Sequence, residues 1–204
     1  MPAKKILFTI LFSSVLLSGA FYAVTLFCQI QTIRAIKPLP VLGQVADFQL
    51  LDTENKSFGL QQLKGKVWVA DFIFTTCAGI CPVLTQNMFK LYKSQINRGI
   101  MRFVSFSVNP EYDTPSVLAK YAEKFAINTK KWYLLTGPRE TIEKLTTQSF
   151  KLGSVENPVF HSGYFVLVDP WGQIRGYYEG TETNNFKKIK EDIMILLKEF
   201  GYGD

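Results

Sequence analysis

A chain of 204 residues with 47% hydrophobic and 20% charged residues has the balance of a globular protein, one domain plus appendages, and is not a disordered chain. Three cysteines are too few for a disulfide-built scaffold of this size. The net charge of +6 does not mark a nucleic-acid binder: Lys4, Lys5, Arg34 and Lys37 flank one apolar stretch, and the rest holds 19 basic against 17 acidic residues.

That stretch, Ile6 to Cys28, contains no charged residue. At about 1.5 Å per residue it reaches across a hydrocarbon core of roughly 30 Å, so residues 1–29 are expected to form a transmembrane helix that anchors the chain. A cleaved signal peptide is the alternative, because Ser18-Gly19-Ala20 supplies small residues. Cleavage there leaves the apolar Phe21–Cys28 as a new N-terminus, and the run exceeds an ordinary signal core. Phe27 stands before Cys28 where lipid attachment needs a small residue. Lys4, Lys5 and the terminal amine hold the N-terminus inside, which puts the single-pass protein in the inner membrane. Its domain then faces the periplasm or an equivalent extracytoplasmic space, where thiols tend to oxidise.

Residues 30–42, with Pro38 and Pro40, read as an extended linker, and 43–204 as one domain. Phe48 to Phe58 predicts two short strands around a polar turn at Asp52–Lys56. Val67–Phe74 is nearly continuous in β-branched and aromatic residues, the pattern of a strand buried on both faces. A helix is expected from Pro82 to Gln95, with Pro82 in its first turn. Met101–Val108 predicts a second buried strand, and Thr114-Pro115 opens a helix to Phe125, with Asp113 and Thr114 as capping residues. Trp132–Leu135 is a short strand, followed by a helix from Pro138 to Phe150. Phe160–Tyr178 predicts a hairpin turning at Asp169–Gly172. Asn185–Phe200 carries apolar residues at 186, 189, 193, 196 and 197, a helical stripe. Strands alternating with helices, then a hairpin and a final helix, predict an α/β fold: a mixed sheet flanked by helices.

The strongest chemical signal is Cys77 and Cys81, in the turn between a buried strand and a helix N-terminus. Partial positive charge and free N–H groups at such an end lower a thiol pKa. Structural cysteines are one reading and a redox pair another, although thiol exchangers use Cys-x-x-Cys and here one residue more intervenes. A metal is the third, since soft thiolates select Cu(I) or zinc. His161, the only histidine, opens the hairpin after Asn157-Pro158-Val159-Phe160. Two thiolates need a third donor for a trigonal site, and imidazole suits copper; a four-coordinate zinc site is hard to assemble from what remains. Cys28 sits in the apolar segment and is a poor ligand candidate. Asp71, inside the apolar strand before the cysteine turn, is expected either to tune the thiols or to pair with a lysine.

These motifs together resemble the Sco/SenC proteins, membrane-anchored thioredoxin-like domains that take part in assembling the copper centre of cytochrome c oxidase. The resemblance runs from Val41 to the C-terminus through Leu63-Lys-Gly-Lys66, Phe74–Pro82, Ser107–Pro115, Leu135-Thr-Gly137 and His161–Asp169. It implies a thioredoxin-like fold and one bound copper ion, Cu(I) or Cu(II), held by Cys77, Cys81 and His161. It also implies a partner, the copper domain of oxidase subunit II, reached by a membrane-tethered metallochaperone. Ala78-Gly79 replace the Pro-Asp common in that family, and Asn109 an aspartate, so an acid near the site is lost. The rival reading is an extracytoplasmic thiol–disulfide reductase that keeps the oxidase copper-site cysteines reduced with the same pair. A peroxide-reducing enzyme is disfavoured: Phe74 occupies the threonine position of the Thr-x-x-Cys pocket of peroxiredoxins.

Overall fold

The computed structural model describes residues 14–27, 37–95, 99–153 and 163–202. The chain forms two units, Met1–Pro38 and Leu39–Asp204. In the first, a helix (α1) covers 14–27, and all of its residues are exposed. Among the described residues no helix is long and apolar enough to cross a membrane. The span expected over Ile6–Cys28 continues outside them at both ends.

The second unit is organised around β4 (Val67–Ile73), buried along its whole length. The reason is in the sequence: seven consecutive residues have no exposed face to offer, so both sides must be covered. β4 pairs in parallel with β5 (Met101–Ser107), and β5 with β6 (Trp132–Leu135). On its other edge β4 pairs antiparallel with β7 (Tyr164–Val168), which forms a hairpin with β8 (Gln173–Glu179). A two-residue strand, β1 (Gly43–Gln44), closes that edge, giving the order β1-β8-β7-β4-β5-β6. A separate hairpin, β2 (Gln49–Leu51) with β3 (Ser57–Gly59), turns at Asp52, whose carboxylate accepts from the N–H groups of Glu54 and Lys56.

Alternation along β4 sorts its side chains into two cores. Val67, Val69 and Ile73 face a layer of three helices, α2 (Ile80–Gln95), α3 (Pro115–Lys124) and α5 (Thr183–Glu199). Trp68, Ala70 and Phe72 face the β2–β3 hairpin, α4 (Arg139–Lys144) and Phe150. Phe72, Phe106 and Phe150 pack mutually there, with ring centroids 5.1 to 5.7 Å apart. The apolar stripe of α5 faces inward as its spacing predicts: Ile189, Ile193, Leu196 and Leu197 are fully buried, while Phe186 is half-buried.

Three elements depart from expectation. α2 starts at Ile80, two residues before Pro82, so Cys81 belongs to the helix. The helix expected from Pro138 to Phe150 is α-helical only to Lys144 and widens into a π-turn over Leu145–Ser149. Thr146 and Thr147 explain the widening: their hydroxyls donate to the carbonyls of Ile142 and Glu143 at 2.7 and 2.6 Å and compete with the regular ladder. Finally, Thr114 caps α3, accepting from Val117 N–H, but Asp113 does not.

At the sheet edge opposite the cysteine turn, Asp169 shapes the β7–β8 turn by accepting from Trp171 and Gln173 N–H, and Gly172 closes it at φ +81°. Asp169 is fully buried because Arg175, itself buried, neutralises it at 3.0 Å. The same guanidinium donates to Glu199 at 2.8 Å and to the carbonyls of Leu39 and Pro40 at 2.6 and 3.2 Å.

Candidate thiol and metal site

The cysteine turn leaves the C-terminal end of β4, where Cys77 N–H donates to the carbonyl of Phe74 at 3.2 Å. Its position is set by Asp113. This carboxylate is fully buried and accepts from Thr75 N–H at 3.1 Å, from the Thr75 hydroxyl, and from Ser107 Oγ at 2.6 Å. It therefore ties the turn to the end of β5. Local sequence gives Asp113 the look of a helix cap, and only the tertiary fold reveals that it ties the turn instead.

The two cysteines differ sharply. Cys77 is half-buried, Cys81 has no exposed surface, and both are free thiols. Burial pushes the Cys77 thiol up, but the backbone of Cys81, the Cys81 side chain and the backbone groups of Gly79 and Ile80 outweigh it and bring it below the ordinary value. This is the helix N-terminus at work on a sulfur. Cys81 is pushed up to about 12, first by burial and further by the nearby charges of Cys77 and Asp71, against a backbone hydrogen bond from Phe74. Cys77 is thus the more acidic and more accessible thiol, and Cys81 the more strongly protonated one.

Asp71 lies under Cys81, on the same face of β4 as Ile73. It is fully buried, and among the described residues neither carboxylate oxygen has a hydrogen-bond partner of good geometry. Desolvation raises it from 3.8 to about 7, offset slightly by the Ser105 hydroxyl on β5, its register partner. The lysine partner considered for it is not found among those residues either. Thr85 and Tyr121 complete the floor, their hydroxyls 2.7 Å apart, and burial raises the Tyr121 phenol.

Among the described residues no three metal-binding side chains cluster. Cys77 and Cys81 form a two-sulfur site at a helix N-terminus, a soft donor set suited to a thiophilic ion. His161 and Cys28 lie outside the described residues. The chain resumes at Gly163, where a Cβ would come within 3.0 Å of Ile80 Cδ1, so the start of β7 packs on the cysteine turn.

A mixed sheet with a thiol pair at the end of its central strand, opening a helix, defines a thioredoxin-like thiol domain. The SCO1/SenC family model matches residues 42–198, and the chain belongs to that family. The SCO1 protein homolog of Bacillus subtilis is 37% identical over 160 residues, covering 76% of this chain and 83% of that protein. A solved structure described as a disulfide switch in BsSco, a member of the Sco family of cytochrome c oxidase assembly proteins, is 37% identical with a TM-score of 0.68. It covers 77% of this chain and 95% of the other. Yeast Sco1 with copper bound is 26% identical with a TM-score of 0.60, covering 76% and 93%. The thioredoxin-like α/β fold and the family expected from the motifs are both borne out.

Proposed function

We propose that the protein is a copper chaperone that delivers copper to the CuA site of cytochrome c oxidase subunit II during assembly, with Cys77, Cys81 and His161 as ligands for one ion. The observation that carries this reading is the packing of Gly163 against Ile80, between the two cysteines, with His161 two residues upstream in sequence. A copper-bound yeast relative supports the choice of metal. Copper is the cargo here. Cys77 is the more accessible of the two thiols, so an incoming thiolate of the acceptor attacks there first and ligands exchange one at a time. Cys81, buried and slow to ionise, holds the ion until last. The uncharged run Ile6–Cys28 anchors the chain in the inner membrane, with the domain on the periplasmic or equivalent side.

A second reading is favoured by the thiol asymmetry. A lowered Cys77 and a raised Cys81 suit a reductase: Cys77 thiolate attacks a target disulfide, then Cys81 displaces the target thiol and closes the Cys77–Cys81 disulfide. His161→Ala separates the two. Disulfide exchange needs only the sulfurs and should survive. Two thiolates hold Cu(I) in a linear arrangement, so Cu(I) binding should weaken only in part, whereas the thiolate-to-Cu(II) absorption should vanish. Unchanged Cu(II) binding and oxidase assembly in His161→Ala, with assembly abolished in Cys77→Ala, would hand the role to the reductase.

A further inference from the structure

The exposed large apolar side chains of the domain gather at its two ends. Val83, Tyr112 and Tyr164 surround the cysteine end, while Val41, Leu42, Trp171 and Tyr202 lie at the opposite edge of the sheet. Trp171 and Tyr202 of this second group line one cleft with Phe200, Pro170 and Lys64. Trp171 is 67% exposed and stacks edge-on against Phe200 at 4.6 Å. Its carbonyl accepts from Gln44 Nε2, and the neighbouring Pro170 carbonyl accepts from Gly65 N–H, which sets exposed Lys64 at the rim. We infer that this face seats the domain on a phospholipid surface, the interface of the membrane that holds its anchor.

The occupant follows from where the chain comes in. Arg175 binds the Leu39 and Pro40 carbonyls and also Glu199, the residue before Phe200, so the chain enters the domain beside the patch. From Cys28 to Leu39 is eleven residues, a tether of at most about 40 Å, which keeps this edge within reach of the bilayer. Tryptophan and tyrosine rimmed by lysine is the composition that settles at a headgroup interface. Seating there has a functional result. β4 runs from this edge to the cysteine turn, about 20 Å away, so the thiols point away from the lipid toward an extracytoplasmic partner. The inference rests on reading Ile6–Cys28 as the anchor.

Trp171 is its own reporter, because Trp68 and Trp132, the other two tryptophans, are fully buried. The full chain is reconstituted into phosphatidylethanolamine–phosphatidylglycerol vesicles whose acyl chains are brominated. Trp171 emission should be largely lost relative to unbrominated vesicles, and iodide should no longer quench it. Tyr202→Glu should restore iodide access, and Trp171→Phe should remove the bromine-sensitive signal while leaving the buried emission. Carbonate-resistant membrane association without bromine quenching overturns the seating and leaves the anchor standing. Bromine quenching in a chain that carbonate releases supports the seating and overturns the anchor. Shielding of Trp171 that requires a soluble copper-receiving protein domain assigns the face to a protein and overturns the inference.

Discussion

Asp71→Asn tests whether a fully buried carboxyl, held up by desolvation, sits beneath the thiols. The folded domain raises this group from 3.8 to about 7, so protonation favours the folded state. Its stabilising effect is complete below pH 3.8 and is lost as pH rises through 7. At pH 8 the ionised carboxylate costs on the order of 4 kcal/mol relative to pH 4, since each pKa step is about 1.4 kcal/mol and the group is wholly buried. Asparagine keeps the shape and cannot ionise. Urea unfolding of the reduced, metal-free domain Leu39–Asp204 should therefore give an Asp71→Asn stability that gains on the parent between pH 4 and about 7 and then levels off towards pH 8. Taking the difference at each pH cancels the other titrating groups. The substitution also removes a charge that holds Cys81 high, so Cys81 should alkylate faster at pH 9. Parallel stability curves, offset by a constant from pH 4 to 8, would mean that Asp71 ionises in the folded domain as it does in water.

Two further outcomes follow from the geometry. Iodoacetamide at pH 7.5 should label Cys77 well before Cys81, because one sulfur is lowered and half-exposed and the other raised and covered; mass spectrometry of partially labelled chain reads the order, and equal labelling contradicts it. Arg175→Met leaves Asp169 buried without its cation and should cost about 3 to 5 kcal/mol in denaturant, whereas a loss below about 1 kcal/mol would mean water reaches the carboxylate.

The central strand is legible in the sequence because burial on both faces leaves little choice of residue: β4 is apolar except for Asp71, while β5 keeps Met101, Phe103, Val104 and Phe106 among Arg102, Ser105 and Ser107. The thiol pair is legible through the same strand. Once β4 is fixed, the turn after it must deliver the chain to a helix N-terminus, and two cysteines placed there meet the partial positive charge that activates a thiol. Where two forces compete, local signals misplace the outcome. Pro82 suggests a helix starting at itself, yet any first-turn position lacks an intrahelical N–H bond, so α2 begins two residues earlier. Asp113 precedes a capping threonine and a proline, but long-range bonds from Thr75 and Ser107 claim its carboxylate. β1, Gly43–Gln44, has no strand pattern of its own and exists through its pairing with β8. Asp71 reads as a buried acid from its strand, but that no hydrogen bond of good geometry reaches its carboxylate among the described residues emerges only when the neighbours assemble.

The guanidinium of Arg175 also decides how the domain bears mechanical load. β1 offers only two register pairs to β8, and a pull on the chain at Pro38 applied to β1 alone peels those contacts apart one after another. The carbonyls of Leu39 and Pro40 meet Arg175 first. Tension therefore shears several charge-assisted bonds together, and it passes through Arg175 into β8 and through Glu199 into α5, whose inner face is packed against the central sheet. Any load applied to the chain ahead of Leu39 is thereby carried past the weakest strand into the interior.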